Sequence, residues 1–106
     1  MFQVIFNPAQ FEQALARGGV MLTFWGMPGC GACQETKPVV RRFAIKSGIN
    51  AYELNVNALG ELADQHRIQA TPTLILFFGG KKVARRTGSL SEEALAKWVE
   101  KHGSAK

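Results

Sequence analysis

Two short runs constrain this chain more than anything else in it. Val20 to Trp25 is apolar at every position but Thr23, and Thr73 to Phe78 is a second continuous apolar stretch. A strand with one wet face alternates apolar and polar residues, so a run without alternation must be covered on both faces. Covering both faces of a sheet takes helices on each side, and the rest of the sequence supplies them. Asn7-Pro8-Ala9-Gln10 predicts a helix start, with Asn7 as N-cap, Pro8 at the first helical position and Gln10 closing a capping box. Phe11, Ala14 and Leu15 form that helix's apolar side, and Gly18-Gly19 ends it. A longer helix is predicted from about Cys30 to Lys46, burying Val39, Val40 and Phe43 and turning Arg41, Arg42 and Lys46 outward. Pro38 inside it removes the backbone bond to Gln34, which predicts a kink. Gly60 to His66 makes a short third helix. Ser91 caps a fourth, with Glu92 and Glu93 in its first turn and Leu95, Trp98 and Val99 as its core stripe.

Further strands are predicted at Phe2 to Phe6, at Ala51 to Val56 and, after a Gly79-Gly80 hairpin turn, at Lys82 to Thr87. In Ala51 to Val56, Tyr52, Leu54 and Val56 share one face while Glu53 and Asn55 share the other. The order β-α-β-α-β-α-β-β-α defines an α/β chain: a central mixed sheet of about five strands flanked by four helices, with right-handed crossovers. With 106 residues and no repeat, linker or low-complexity stretch, positions 1–106 read as a single domain, and Gly103 to Lys106 as a frayed tail.

Composition narrows the function. The chain is 46% hydrophobic and 20% charged, an ordinary globular balance. No apolar run approaches the roughly 18 residues of a membrane span. Met1 to Gln10 lacks the basic start and apolar stretch of a signal peptide, so a cytoplasmic location is the default; a chain whose leader had been removed would read the same. The net charge of +5 is dispersed over Arg41-Arg42, Lys81-Lys82 and Arg85-Arg86, without interleaved aromatics, which argues against nucleic acid and for a solvated basic face.

The two cysteines of the chain, Cys30 and Cys33, flank Gly31-Ala32 where the strand Val20–Trp25 passes into the long helix. Two thiols three positions apart can face each other across one helical turn. A thiol at a helix N-terminus meets unpaired N–H groups and the positive end of the macrodipole, which favours its thiolate. That is the minimum equipment for thiol–disulfide exchange. The place is also where open α/β sheets put their sites, just past a strand's carboxyl end. A structural metal would need two further ligands, and the available histidines, His66 and His102, read as helical, outward surface residues.

From here the chain resembles thioredoxin. Phe24-Trp25 precedes the pair, Pro38 lies five residues after Cys33, and Leu54-Asn55-Val56, Thr71-Pro72-Thr73, Gly80, Gly88 and Leu90-Ser91 follow in the family's order over nearly the whole chain. A Cys-x-x-Cys on a strand-to-helix step, followed about forty residues later by Thr-Pro-Thr before a strand, is far more specific than the cysteine motif alone. The resemblance implies a thioredoxin fold and an enzyme that reduces protein disulfides through a Cys30–Cys33 dithiol–disulfide cycle. In it Cys30 is the nucleophile and Cys33 the shielded resolver. It implies no bound cofactor and no metal, with NADPH entering only indirectly through a thioredoxin reductase. Partners would be disulfide-containing proteins, met by a monomer. It also makes Thr71-Pro72 a cis bond whose Thr71 backbone pairs with a substrate strand; the plainer alternative is a proline tolerated at a strand's first residue.

Three departures from the family pattern mark this chain. Gly29-Cys30-Gly31-Ala32-Cys33 replaces the usual Trp-Cys-Gly-Pro-Cys; Gly26-Met27-Pro28-Gly29 is one residue longer than usual; and the usual buried aspartate and its lysine partner are replaced by Thr23 and Glu53. Gly29, with Gly31 and Ala32, should border the substrate groove without the family's aromatic. Ala32 adds an N–H that proline lacks near the Cys30 sulfur, which should stabilise the thiolate and make a weaker reductant. Glu53 either lies beneath the pair and accepts the Cys33 proton, with burial raising its pKa, or is an exposed polar residue at a strand edge. Thr23 could hold a water there instead. Two further readings stay open: a glutaredoxin-like protein recharged by glutathione, and a binding module whose dithiol holds an iron–sulfur cluster.

Overall fold

In chain order the elements of this computed structural model, which describes residues 1–103, are β1 (Phe2–Val4), α1 (Pro8–Ala16), β2 (Val20–Gly26), α2 (Gly31–Ser47), β3 (Asn50–Asn55), α3 (Gly60–Gln65), β4 (Thr73–Phe78), β5 (Lys81–Thr87) and α4 (Glu92–His102). They form a five-stranded sheet in the order β1-β3-β2-β4-β5. The two apolar runs are neighbours in its middle, with β2 antiparallel to β4 and parallel to β3. The outer strand β1 is parallel to β3, and β5 is antiparallel to β4.

Both faces of the central strands are dry, which is why neither run alternates. On one face Met21, Trp25, Ile75 and Phe77 pack with Phe11 and Ala14 of α1 and Leu62 and Ala63 of α3. On the other, Leu22, Phe24, Leu74 and Leu76 pack with Val40, Phe43 and Ala44 of α2 and Leu95 and Val99 of α4. Each such Leu, Val or Phe contributes about 1.5–3 kcal/mol by leaving water.

The local signals set the element ends. Asn7 Oδ1 accepts the Gln10 N–H at 2.9 Å and Ser91 Oγ accepts the Ala94 N–H at 3.1 Å. Gln10 Oε1 accepts from Phe6 rather than from Asn7, at 2.6 Å. That bond turns Phe6 away from the sheet, so β1 stops at Val4, short of the predicted Phe6. β2 runs one residue further than predicted, because Gly26 still pairs with Asn55. Asn55 Oδ1 accepts the N–H groups of Asn57 and Ala58, which ends β3 before Val56. Gly79 and Gly80 both have positive φ, 61° and 82°, as a two-residue turn between twisted strands requires. The helix α2 continues through Pro38 as one element of 17 residues. Gly103 closes α4 by donating to Val99 O at 2.7 Å; positions 104–106 of the predicted tail lie outside the described residues.

Candidate active site

The carboxyl end of β2 and the amino end of α2 meet at Met27-Pro28-Gly29, an exposed loop that turns through Gly29 at φ 81°. Cys30 is the N-cap of α2, in extended conformation, so its side chain takes the place of the usual Ser or Asn. Its sulfur accepts the Cys33 N–H at 3.1 Å. Cys30 and Cys33 form a disulfide with Cα atoms 5.2 Å apart, an ordinary span for the bond. The pair is asymmetric: Cys30 is partly exposed, whereas Cys33 is 6% exposed and packs into the α2 face of the core.

Across the site the Thr71-Pro72 peptide is cis. The Thr71 carbonyl lies 3.6 Å from Cys30 Sγ and its hydroxyl 3.5 Å, so the dithiol form can donate its S–H to that carbonyl. The turn is fixed from both sides: Gly88 N–H donates to Pro72 O at 2.9 Å and Thr73 Oγ1 to Ala70 O at 2.6 Å. Thus Cys30, Cys33, Thr71 and Pro72 are brought together from positions far apart in the chain. Gly29 and Gly31 lie beside them, both exposed, with Ala32 half-buried in the first helical turn. The hydrogen bond to the Cys30 sulfur comes from Cys33 N–H, not from Ala32.

A cavity of about 210 Å³ opens beside Cys33. Phe24, Gly26, Met27 and Pro28 form its apolar wall; Gln34, Lys37, Glu53 and Asn55 form its polar end. Gly26 keeps it open at the sulfur: a Cβ there would lie 3.3 Å from Cys33 Sγ and 3.1 Å from the Phe24 ring. Glu53 therefore shares the face of the pair, with its side chain 24% exposed and its carboxylate 3.0 Å from Lys37 Nζ. Thr23 does not share it. Thr23 is paired across the strands with Tyr52 and Ile75, on the opposite face; its hydroxyl accepts from Trp25 Nε1 at 2.8 Å and donates to Ile75 O at 2.9 Å. The idea of a water held by Thr23 under the cysteines gives way to this pairing.

Two residues differ from what the sequence leads one to expect. His66 is no plain surface residue. It is half-buried, with its ring 5.2 Å from Phe11, 5.4 Å from Trp25 and 6.0 Å from Phe77. Burial, then the charges of Lys82 and Arg85, hold its pKa below the ordinary 6.5, against a smaller opposing pull from Glu12. The signal for this is the 3.6-residue stripe Leu59, Leu62, Ala63, His66, whose last member continues the apolar face. Lys37 is the second, a member of the site that no motif marks. Its signal is spacing alone: it lies four residues after Cys33 on the same helix and so on the same side. Among the described residues no group of three or more His, Cys, Asp or Glu could hold a metal, and no helix is long and apolar enough to cross a membrane.

A Cys-x-x-Cys disulfide at a helix N-cap, one sulfur open and one shielded, facing a cis-proline turn, defines a thiol–disulfide exchange protein of α/β class. The thioredoxin family model matches residues 2–101, so the chain belongs to the thioredoxin family. It is 30% identical over 103 residues to a thioredoxin of Chlamydia trachomatis, covering 96% of this chain and 99% of that protein. It is 34% identical over 85 residues to thioredoxin 1 of a Nostoc species, covering 78% of each. A solved structure, a mutant thioredoxin from Halobacterium salinarum, superposes with a TM-score of 0.91 at 24% identity over 99% of this chain and 93% of that one. The protein is a thiol–disulfide oxidoreductase with a redox-active Cys30–Cys33 disulfide, acting as a protein-disulfide reductase.

Proposed function

We propose that residues 1–106 act as a single monomeric cytoplasmic domain in which Cys30 attacks and Cys33 resolves. The observation that carries the assignment is the position of Cys30 as N-cap of α2, with its sulfur 3.1 Å from the Cys33 N–H. In the dithiol form that donor and the helix N-terminus favour the Cys30 thiolate. The thiolate attacks one sulfur of a substrate disulfide; the other substrate sulfur leaves with the bonding pair. Cys33, as thiolate, then attacks Cys30 Sγ, the Cys30–substrate bond breaks, and the second substrate sulfur leaves reduced. The burial of Cys33 supports the division of labour, because a shielded thiol meets the neighbouring mixed disulfide and little else.

The Thr71 backbone pairs with the extended substrate segment, and Pro72, Gly29, Gly31 and Ala32 border it. Support comes from the 3.6 Å approach of the Thr71 carbonyl to Cys30 Sγ. Glu53 accepts the Cys33 proton, supported by its place in the cavity that reaches that sulfur. No bound cofactor takes part. A flavin-containing thioredoxin reductase returns two electrons from NADPH.

Single substitutions test the roles. With a protein disulfide, Cys33→Ser accumulates a covalent mixed disulfide that dithiothreitol releases, whereas Cys30→Ser forms none. A mixed disulfide on Cys30→Ser would reverse the assignment. Coupled assays of NADPH oxidation, with a flavin reductase in one arm and glutathione plus its reductase in the other, identify the donor. Turnover confined to the glutathione arm would replace the reductase.

A further inference from the structure

We propose that the outer edge of β5, with Arg67 beside it, docks an extended acidic segment that flanks the disulfide of a substrate protein. This deepens the reading above, that Cys30 attacks disulfide-bearing proteins, and stands only with it.

β5 closes the sheet on the side away from β1 and pairs with β4 alone. Gly88 N–H donates to Pro72 O at 2.9 Å, and in the same register Arg86 faces Leu74 and Ala84 faces Leu76. Bonded and non-bonded pairs alternate in an antiparallel ladder, so Arg85 and Thr87 turn their own N–H and C=O groups outward. Those are the groups that an added strand takes up. Thr87 directly precedes Gly88, so the open edge ends beside the Thr71-Pro72 turn that faces Cys30.

Charge selects the occupant. Lys81, Lys82, Arg85 and Arg86 lie on β5. Arg67, just after α3, stands against the strand, its carbonyl oxygen accepting from Arg85 Nη2 at 3.0 Å. None of the salt bridges among the described residues includes any of these cations. After burial itself, Lys82 and Arg85 depress the pKa of the half-buried His66, and Glu12 opposes them more weakly. Positive field is therefore in excess at this corner. Arg85 uses one donor on Arg67 and keeps the rest of its planar fork for a carboxylate.

Charged residues on an edge strand can serve simply to keep other chains off it. Arg67 is not on the strand, and that account does not cover it. Ile68 N–H bonds Ala63 O and Arg67 N–H bonds Asp64 O, both at 3.0 Å, the two bonds of a Schellman helix end. Arg67 holds the position in that motif where glycine is usual, with φ 55°, the one positive φ outside glycine among the described residues. It is exposed, so no buried contact offsets the strain. A carboxylate partner accounts for a cation kept there.

The test uses two synthetic peptides with one intramolecular disulfide each, glutamate-rich on both flanks in one and glutamine in the same places in the other. Quenched flow gives the rate of mixed-disulfide formation, and the ratio between the peptides is compared among proteins. With the unsubstituted protein the glutamate peptide should react about tenfold faster at about 20 mM NaCl, and less than about twofold faster at about 0.5 M. Arg67→Gly with Lys82→Gln should remove most of the low-salt advantage; glycine suits the Arg67 backbone, so the helix end is kept. Arg41→Gln with Lys101→Gln removes the same charge elsewhere and should leave the ratio unchanged. N-methylation of alternate glutamate amides should also remove most of the gain, as strand addition requires. Equal ratios in the two double variants would assign the effect to net charge and overturn the docking surface, as would equal rates for the two peptides or a gain that survives N-methylation. Failure of the unsubstituted protein to form a Cys30 mixed disulfide with either peptide would overturn the underlying reading instead.

Discussion

Thr36 is fully buried in α2, and its hydroxyl has no hydrogen-bond partner among the described residues. A buried hydroxyl left unbonded costs about 1–3 kcal/mol, whereas an apolar group of the same shape does not. Thr36→Val should therefore stabilise the protein by about 1 kcal/mol, read as a higher urea midpoint with unchanged slope. An unchanged or lower midpoint would show that the hydroxyl is satisfied in solution. Ala32 bears on the redox pair in a different way. The bond to Cys30 Sγ comes from Cys33 N–H, so the amide of Ala32 acts as a second free donor at the same helix end. Proline fits that first turn and removes the donor. Ala32→Pro should thus destabilise the Cys30 thiolate and shift the equilibrium with glutathione several-fold toward the disulfide. Equal dithiol fractions in one glutathione buffer would show that the amide plays no part.

At the scale of elements, α2 and α4 lie side by side on one face of the sheet and are tied at their surface by Glu92. Its carboxylate is 2.9 Å from Lys46 Nζ and 3.1 Å from Arg42 Nε. Lys46 first, then Arg42, hold the Glu92 carboxyl below its ordinary 4.5. The folded state then binds fewer protons than the unfolded one near that pH, so the stabilisation is present above about 4.5 and is lost as pH falls through the lowered value. Glu92→Gln should lower the urea midpoint modestly at pH 7, and 1 M NaCl should remove the difference. A difference insensitive to both salt and acid would mean packing, not charge. Elements like these are legible because their signals are local: Asn7 and Ser91 announce helix starts, Gly79-Gly80 a hairpin, and the missing alternation in Val20–Trp25 a central strand. Their ends are less so. The ends of β1 and β3 depend on where Gln10 and Asn55 aim their side chains, and residue order does not contain that.

At the scale of the whole molecule, the cysteine site is legible because its parts carry sequence signatures, whereas the environment of His66 is not. That environment is assembled from α1, β2, β4 and β5, whose side chains meet only after the sheet has formed. Phe11, Trp25 and Phe77 surround the ring, and Lys82 and Arg85 add positive charge from the neighbouring strand. Burial is the first cause of its lowered pKa, so the folded state resists protonation that the unfolded chain accepts freely. Well above pH 6.5 both states are neutral and His66 adds no pH dependence. As pH falls through 6.5 the unfolded chain takes up the proton first, so stability falls until the lowered folded value is passed, and then levels off. This window begins above that of Glu92, so the two can be separated by titration. The urea midpoint of the wild type should drop between about pH 7 and pH 5.5, and that of His66→Leu should drop less, whatever the variant's stability at pH 7. Parallel declines would assign the acid sensitivity to other groups. A smaller decline in the variant would assign that part of the sensitivity to mild acid to the burial of His66 against Phe11, Trp25 and Phe77.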